Sequence, residues 1–213
     1  RCLDQLADLL LAAPTVPAGL ARAAHDARAR ARIQVLARCG RARNAHWQAI
    51  GPGWTPLLAK LNAIELQAEW SQASATWWPK SALDKRSMRK RLAAFRDDGA
   101  PPAADAIPML FEPLAAVNEE DQLLRSMQDD AQALLQEQFD GIATDWAAVA
   151  GHERWAKQFA DSVTRVAGSD PAQTHALRAT LQPLVAEDRA LLRPDGPVGR
   201  ALVEQRDAWR ALN

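Results

Sequence analysis

Apolar residues recur at three- and four-residue spacing along almost the whole chain, and no stretch alternates apolar and polar positions in the way a strand does. The pattern predicts an all-α fold. A short helix is expected over residues 3–12, ended by Pro14 and Pro17, because proline lacks the N–H that a helix interior uses. A long helix is expected over 18–50, with Leu20, Ala24, Ala27, Ala31 and Val35 inward, Arg22, Arg28, Arg30 and Arg32 outward, and Gly51-Pro52-Gly53 as its breaker. Thr55-Pro56 reads as the start of a helix over 55–78 with two apolar stripes. One stripe is Leu57, Leu61, Ile64, Ala68 and Ala75, the other Leu58, Leu66, Trp70, Ala73 and Trp77.

A shorter helix follows to about Phe95, with Ser81 and Asp84 spaced as a capping box and Met88, Leu92 and Phe95 facing inward. The five residues Gly99, Pro101, Pro102, Pro108 and Pro113 predict a loop with a short helical turn over 97–113. A helix over 114–138 carries a seam of Val117, Leu124, Met127, Ala131 and Leu134. Thr144 is expected to cap the next helix, whose inward residues are Trp146, Val149, Ala156, Phe159, Val163 and Val166. Asp170-Pro171 and Gly196-Pro197 start the last two helices. Helices of about 22 to 33 residues would reach about 33 to 50 Å at roughly 1.5 Å per residue. The architecture expected is therefore an elongated antiparallel bundle, or coiled-coil-like stalk, with a purely apolar interior.

Composition adds limits. With 48% hydrophobic residues among 213, one large domain or two small ones can bury a core. Residues 1–213 are taken as a single helical domain, and the start Arg1-Cys2-Leu3-Asp4 reads as that of an excised piece. No apolar run is long enough to cross a membrane, and two cysteines make no disulfide framework, so a cytoplasmic setting is expected. The formal net charge is +0, yet residues 1–96 hold 16 basic against 6 acidic side chains and residues 97–213 hold 10 against 20. Internal pairing of a basic and an acidic half would leave only an uncompensated basic face for an anionic partner.

No phosphate-binding glycine loop, nucleophile elbow or di-iron carboxylate pattern is present. His152-Glu153 begins like a zinc-protease motif, but Ala156 stands where its second histidine belongs. His25, His46 and His175 are widely spaced, and Cys39, among Arg38, Arg41 and Arg43, reads as a packing thiol rather than a nucleophile. No catalytic, cofactor or metal residue is expected. Most of the eight tryptophans read as core fillers, with Trp78 the exception that could stack on a base. Beside it lie Lys80, Lys85, Arg86, Arg89 and Lys90, which read either as a solvated face paired with the acidic segment 119–130 or as a contact for nucleic acid or another partner.

Trp77-Trp78-Pro79 followed by the basic segment 85–95, and Phe139-Asp140-Gly141-Ile142-Ala143-Thr144-Asp145-Trp146, resemble the long helical insertion of large bacterial proteins related to superfamily 1 DNA/RNA helicases. The likeness covers roughly residues 47–185. It implies a non-catalytic stalk projecting from a motor domain, with ATP and Mg²⁺ held by flanking RecA-like domains of the parent protein. The partners implied are those domains and DNA or RNA. The alternative is a coiled-coil module that binds a protein and touches no nucleic acid.

Overall fold

The structure is a computed structural model and describes residues 2–23, 26–168 and 170–211. Among these there is no strand, only one antiparallel bridge between Trp54 and Arg96, and the fold is all-α. The helices are α1 (Cys2–Leu11), α2 (Ala18–Ala23), α3 (Ala27–Ile50), α4 (Ala63–Ala75), α5 (Lys80–Leu92), α6 (Pro108–Ser126), α7 (Gln128–Leu135), α8 (Trp146–Ala167), α9 (Pro171–Ala186) and α10 (Pro197–Ala211).

Several expected helices are shorter than their apolar spacing suggested, and each break has a local cause. The one expected over 18–50 is divided into α2 and α3, with Ala24 and His25 outside the described residues. Asp26 accepts the Arg28 N–H at 2.8 Å, so a new helix starts there with a new phase. Ala27 and Ala31 are consequently exposed, and Ile33, Leu36 and Ala37 form the buried face instead. The helix expected over 55–78 becomes a 3-10 turn, Pro56–Lys60, and then α4, which Asn62 caps by accepting from Ile64 and Glu65. Only the Leu58, Leu66, Trp70, Ala73 stripe is buried; Leu57 and Ile64 of the other stripe are exposed. A 3-10 turn advances each residue further round the axis than an α-helix does, so one stripe cannot continue through both segments.

The seam over 114–138 is similarly divided at Met127, and α7 ends at Gln136, whose φ is 49°. The other part of the expected helix, α6, begins earlier than expected, at Pro108, and holds Pro113 within it. Asp145 rather than Thr144 caps α8, accepting from Ala147 and Ala148, while Thr144 accepts the Asp140 N–H and donates to the Gly141 carbonyl. No side chain caps α5, where Pro79 occupies the cap position and the Ser81/Asp84 box is not formed.

Two compact units result. The first contains residues 1–38 and 127–213, the second residues 39–126. The charge boundary near residue 96 falls inside the second unit. The fold also dissolves the sequence dipole: the first unit has 15 basic and 16 acidic residues, the second 11 and 10.

In the first unit α1 packs on α8 and α10. Trp155 of α8 stacks on Phe159 with centroids 5.2 Å apart and donates its indole N–H to the Leu9 carbonyl at 3.0 Å. Asp8 of α1 takes Arg206 and Arg210 of α10 at 3.2 and 2.8 Å. The approach of α2 to α7 is so close that a Cβ on Gly19 would lie 2.4 Å from the Ala133 carbonyl oxygen. Backbone cannot yield there as a flexible side chain would. Gly19→Ala is therefore expected to destabilise by about 1–3 kcal/mol, read as a lowered urea midpoint.

His152 of α8 is half-buried, and its Nδ1 is buried without a hydrogen-bond partner. Burial pushes the imidazole below its ordinary value of 6.5, the Arg189 cation adds to this, and Asp145 opposes it. The folded state thus resists protonation more than the unfolded chain does. Stability linked to His152 is present above 6.5 and is lost as pH falls from there through the lower folded value. His152→Gln should flatten the pH dependence of the unfolding midpoint in that window; an unchanged slope would refute the assignment.

The second unit is organised around Ile50, Trp54, Leu58, Leu66, Trp70, Met88, Leu92, Ile107, Leu110, Leu114 and Val117. Asn118 of α6 secures the start of α4 by accepting from Ala63 N and donating to the Ala59 carbonyl, both at 3.0 Å. The interior is not purely apolar, contrary to expectation. Arg43 of α3 donates from Nε to Asp121 of α6 at 3.0 Å, and their side chains are 8% and 1% exposed. The Arg43 guanidinium also lies 5.5 Å from the Trp47 ring centroid.

Candidate nucleic-acid interface

Helices α4 and α5 are joined by only four residues, Thr76 to Pro79, which makes them packed neighbours within the second unit. Met88 and Leu92 of α5 enter the core beside Leu66 and Trp70 of α4. That contact fixes the rotation of α5 and, at about 100° per residue, decides which way every cation on it points. Six of its thirteen residues are basic and one, Asp84, is acidic. Arg89, Lys90 and Arg91 lie in its last turn, where cations oppose the negative end of the helix dipole.

The sequence-predicted residues do not share one face. Leu83, Arg86 and Lys90, spaced three and four apart, share the outward side opposite Met88, and all three are exposed. Lys85 turns the other way and places Nζ 5.3 Å from the Trp70 ring centroid. Arg89 donates Nε to the Pro102 carbonyl at 2.6 Å. Lys80 lines a 380 Å³ groove between α4 and α5 with Glu69, Gln72, Thr76, Asp84 and Arg91. Trp78 is 80% exposed, and Trp77, expected in the core, is 70% exposed. Trp77 loses its place in the buried stripe because α4 ends at Ala75, before the helical spacing reaches it.

Charge pairing sets these cations apart. Arg91 pairs with Glu69, Arg96 with Asp98, and Arg43 with Asp121. The Arg96 hydrogen bond, helped by the Ala100 N–H, holds the Asp98 carboxyl below its usual range, so Arg96 is neutralised locally. Among the described residues, none of Lys80, Lys85, Arg86, Arg89 and Lys90 lies within 4.0 Å of a carboxylate oxygen. The acidic segment 119–130 is engaged by other residues: Asp121 by Arg43 and Asp130 by Arg32.

No protein-family model, curated protein or solved structure matches this chain. Of the two aromatic segments singled out in the sequence, the first is the α4–α5 connection just described. The second leads into α8, where Phe139 and Trp146 meet edge to face with centroids 6.5 Å apart.

Elsewhere the chemistry-bearing residues stay apart. Among the described residues no three or more His, Cys, Asp or Glu side chains gather closely enough to hold a metal ion, and no helix is long and apolar enough to cross a membrane. His46 is half-buried, His175 is exposed, and His25 lies outside the described residues. Cys39 is buried, with Sγ 3.5 Å from the Glu120 carbonyl oxygen. Sequence reasoning missed the exposure of Trp77 and Leu83 and the ion pair that removes Arg91 from the free set. For Trp77 the available signal was Pro79, which disfavours helical backbone just ahead of it.

Proposed function

We propose that this chain is a non-catalytic helical accessory domain that contacts the backbone of DNA or RNA through α5, with Trp78 as a base-stacking platform. One observation supports this reading above the rest: five cations lacking carboxylate partners share a short segment with two tryptophans that are largely in solvent. Leaving such aromatic rings exposed forgoes about 2 kcal/mol or more of burial for each, a cost that a stacked partner would recover. Guanidinium and ammonium groups neutralise phosphates, and an indole face stacks on a base of any sequence, so the expected recognition is sequence-tolerant.

By its resemblance the domain would belong to a superfamily 1 helicase-like ATPase, whose motor domains would hold ATP and Mg²⁺. Its role would be to position nucleic acid relative to that motor. Fluorescence anisotropy with labelled single-stranded and duplex oligonucleotides tests the contact directly. Binding should weaken linearly in log–log form as salt rises, with a slope of about 0.7 per neutralised phosphate on single strands. No binding to either strand form at low salt would overturn the reading.

A further inference from the structure

A second cationic site lies in the first unit, unrelated to α5. The 3-10 turn Arg189–Leu192 and the residues after it face the segment that follows α1, and a 530 Å³ cleft separates them. Its volume is within the roughly 300–1,000 Å³ typical of small-molecule sites. Leu10, Leu11 and Leu192 supply apolar lining, while Arg189, Arg193 and Thr15 supply the polar part.

Both arginines line the cleft. Among the described residues neither has an acidic group within 4.0 Å, whereas Asp8, the acid paired from nearby α1, is already taken by Arg206 and Arg210. Arg189 is held in place by donating Nη1 to the Thr15 hydroxyl oxygen and Nη2 to the Ala13 carbonyl. Thr15 thus accepts from Arg189 and keeps its own hydroxyl proton to donate elsewhere. Burial, and to a lesser degree the Arg193 cation, push the Arg189 guanidinium below its ordinary value.

We propose that this cleft binds a small organic anion, its carboxylate or phosphate head held by Arg193, Arg189 and the Thr15 hydroxyl and its apolar body lying against Leu10, Leu11 and Leu192. Forked guanidinium donors suit a planar carboxylate or a phosphate face, and a neighbouring hydroxyl adds a third donor. The leucines make a bare inorganic ion the poorer ligand, since it would leave apolar surface uncovered.

Calorimetric titration of the whole chain with phenyl phosphate, phenylacetate, inorganic phosphate and benzyl alcohol tests this. Saturable 1:1 binding is expected for phenyl phosphate or phenylacetate, and which of them binds tighter identifies the head group. Inorganic phosphate and benzyl alcohol should bind at least about tenfold more weakly. Arg193→Gln should weaken the preferred ligand by about tenfold or more, because a charge-assisted hydrogen bond is removed. Arg193 is exposed and has no hydrogen bond to the rest of the fold through its side chain, so its variant should keep the parent's circular dichroism; Arg189→Gln would disturb the anchor at Ala13 and is unsuited to this test. Leu11→Ala should weaken phenyl phosphate while leaving inorganic phosphate unchanged. Failure of both phenyl anions to bind, equal affinity in the Arg193 variant, or equal affinity for inorganic phosphate or benzyl alcohol would each overturn the proposal.

Discussion

Asp121→Ala is expected to destabilise the protein by about 3–5 kcal/mol, the cost of leaving the Arg43 cation buried with no counter-charge. Arg43 and Asp121 are almost wholly withdrawn from water, and only one oxygen of Asp121 is engaged: Oδ2 is buried without a partner. The pair is therefore costly to break yet poorly satisfied when intact. Replacing both members should behave differently. Arg43→Met with Asp121→Leu removes both charges, preserves much of the volume and retains contact with Trp47, so its stability should lie within about 1–2 kcal/mol of the parent, on either side. The exposed pair Arg32–Asp130, with side chains 61% and 42% exposed, supplies the control. Asp130→Ala should cost no more than about 1 kcal/mol. Urea unfolding followed by tryptophan fluorescence measures all three variants. A loss at Asp121 no larger than that at Asp130 would show that water reaches the pair and that the interior is not as dry as its burial implies.

Charge reversal on the outward side of α5 should have the largest effect on binding. Arg86→Glu with Lys90→Glu replaces two unpaired cations by anions on one helical face, and neither side chain has a hydrogen-bonding role in the fold that the change would remove. Oligonucleotide affinity at low salt should fall by at least about tenfold, and the salt slope should drop by about 1.4 on single strands for the two lost phosphate contacts. Trp78→Ala should weaken single-strand binding by about 1–3 kcal/mol while leaving the salt slope unchanged, because stacking releases no counterions. The two variants thus separate charge from stacking. Lys85→Gln provides a further contrast: its ammonium is engaged over Trp70, so part of its effect should appear as lost stability. If Arg86→Glu/Lys90→Glu binds as the parent does, α5 is not the contact surface.

The apolar spacing of α8 was legible at five of its six expected positions, Val166 being only half-buried. Trp146, Val149, Ala156, Phe159 and Val163 are all buried, since a 22-residue helix with large side chains on one face has a single favourable rotation. In α3 the same reasoning failed at Ala27 and Ala31. Alanines occupy either face at little cost, and one aspartate, Asp26, was enough to restart the helix in another phase. Breaks at Met127 and after Pro56–Lys60 were hidden for a related reason: a short 3-10 or capped interruption changes few residues locally but rotates everything beyond it.

The site divides along the same line. That residues 77–90 unite tryptophans with basic side chains is plain in the sequence, as is the helical nature of the whole chain, because both follow from residue type and spacing over a few positions. Which cations remain unpaired was decided only by tertiary contacts. Glu69 meets Arg91 from 22 residues away, and Asp121 meets Arg43 from 78. Local spacing sets which side chains share a helical face; it carries no information about which distant carboxylate that face will meet. The near neutrality of each unit, the ion pair inside the second and the anchoring of Arg189 on Ala13 and Thr15 in the first all depend on that second kind of contact.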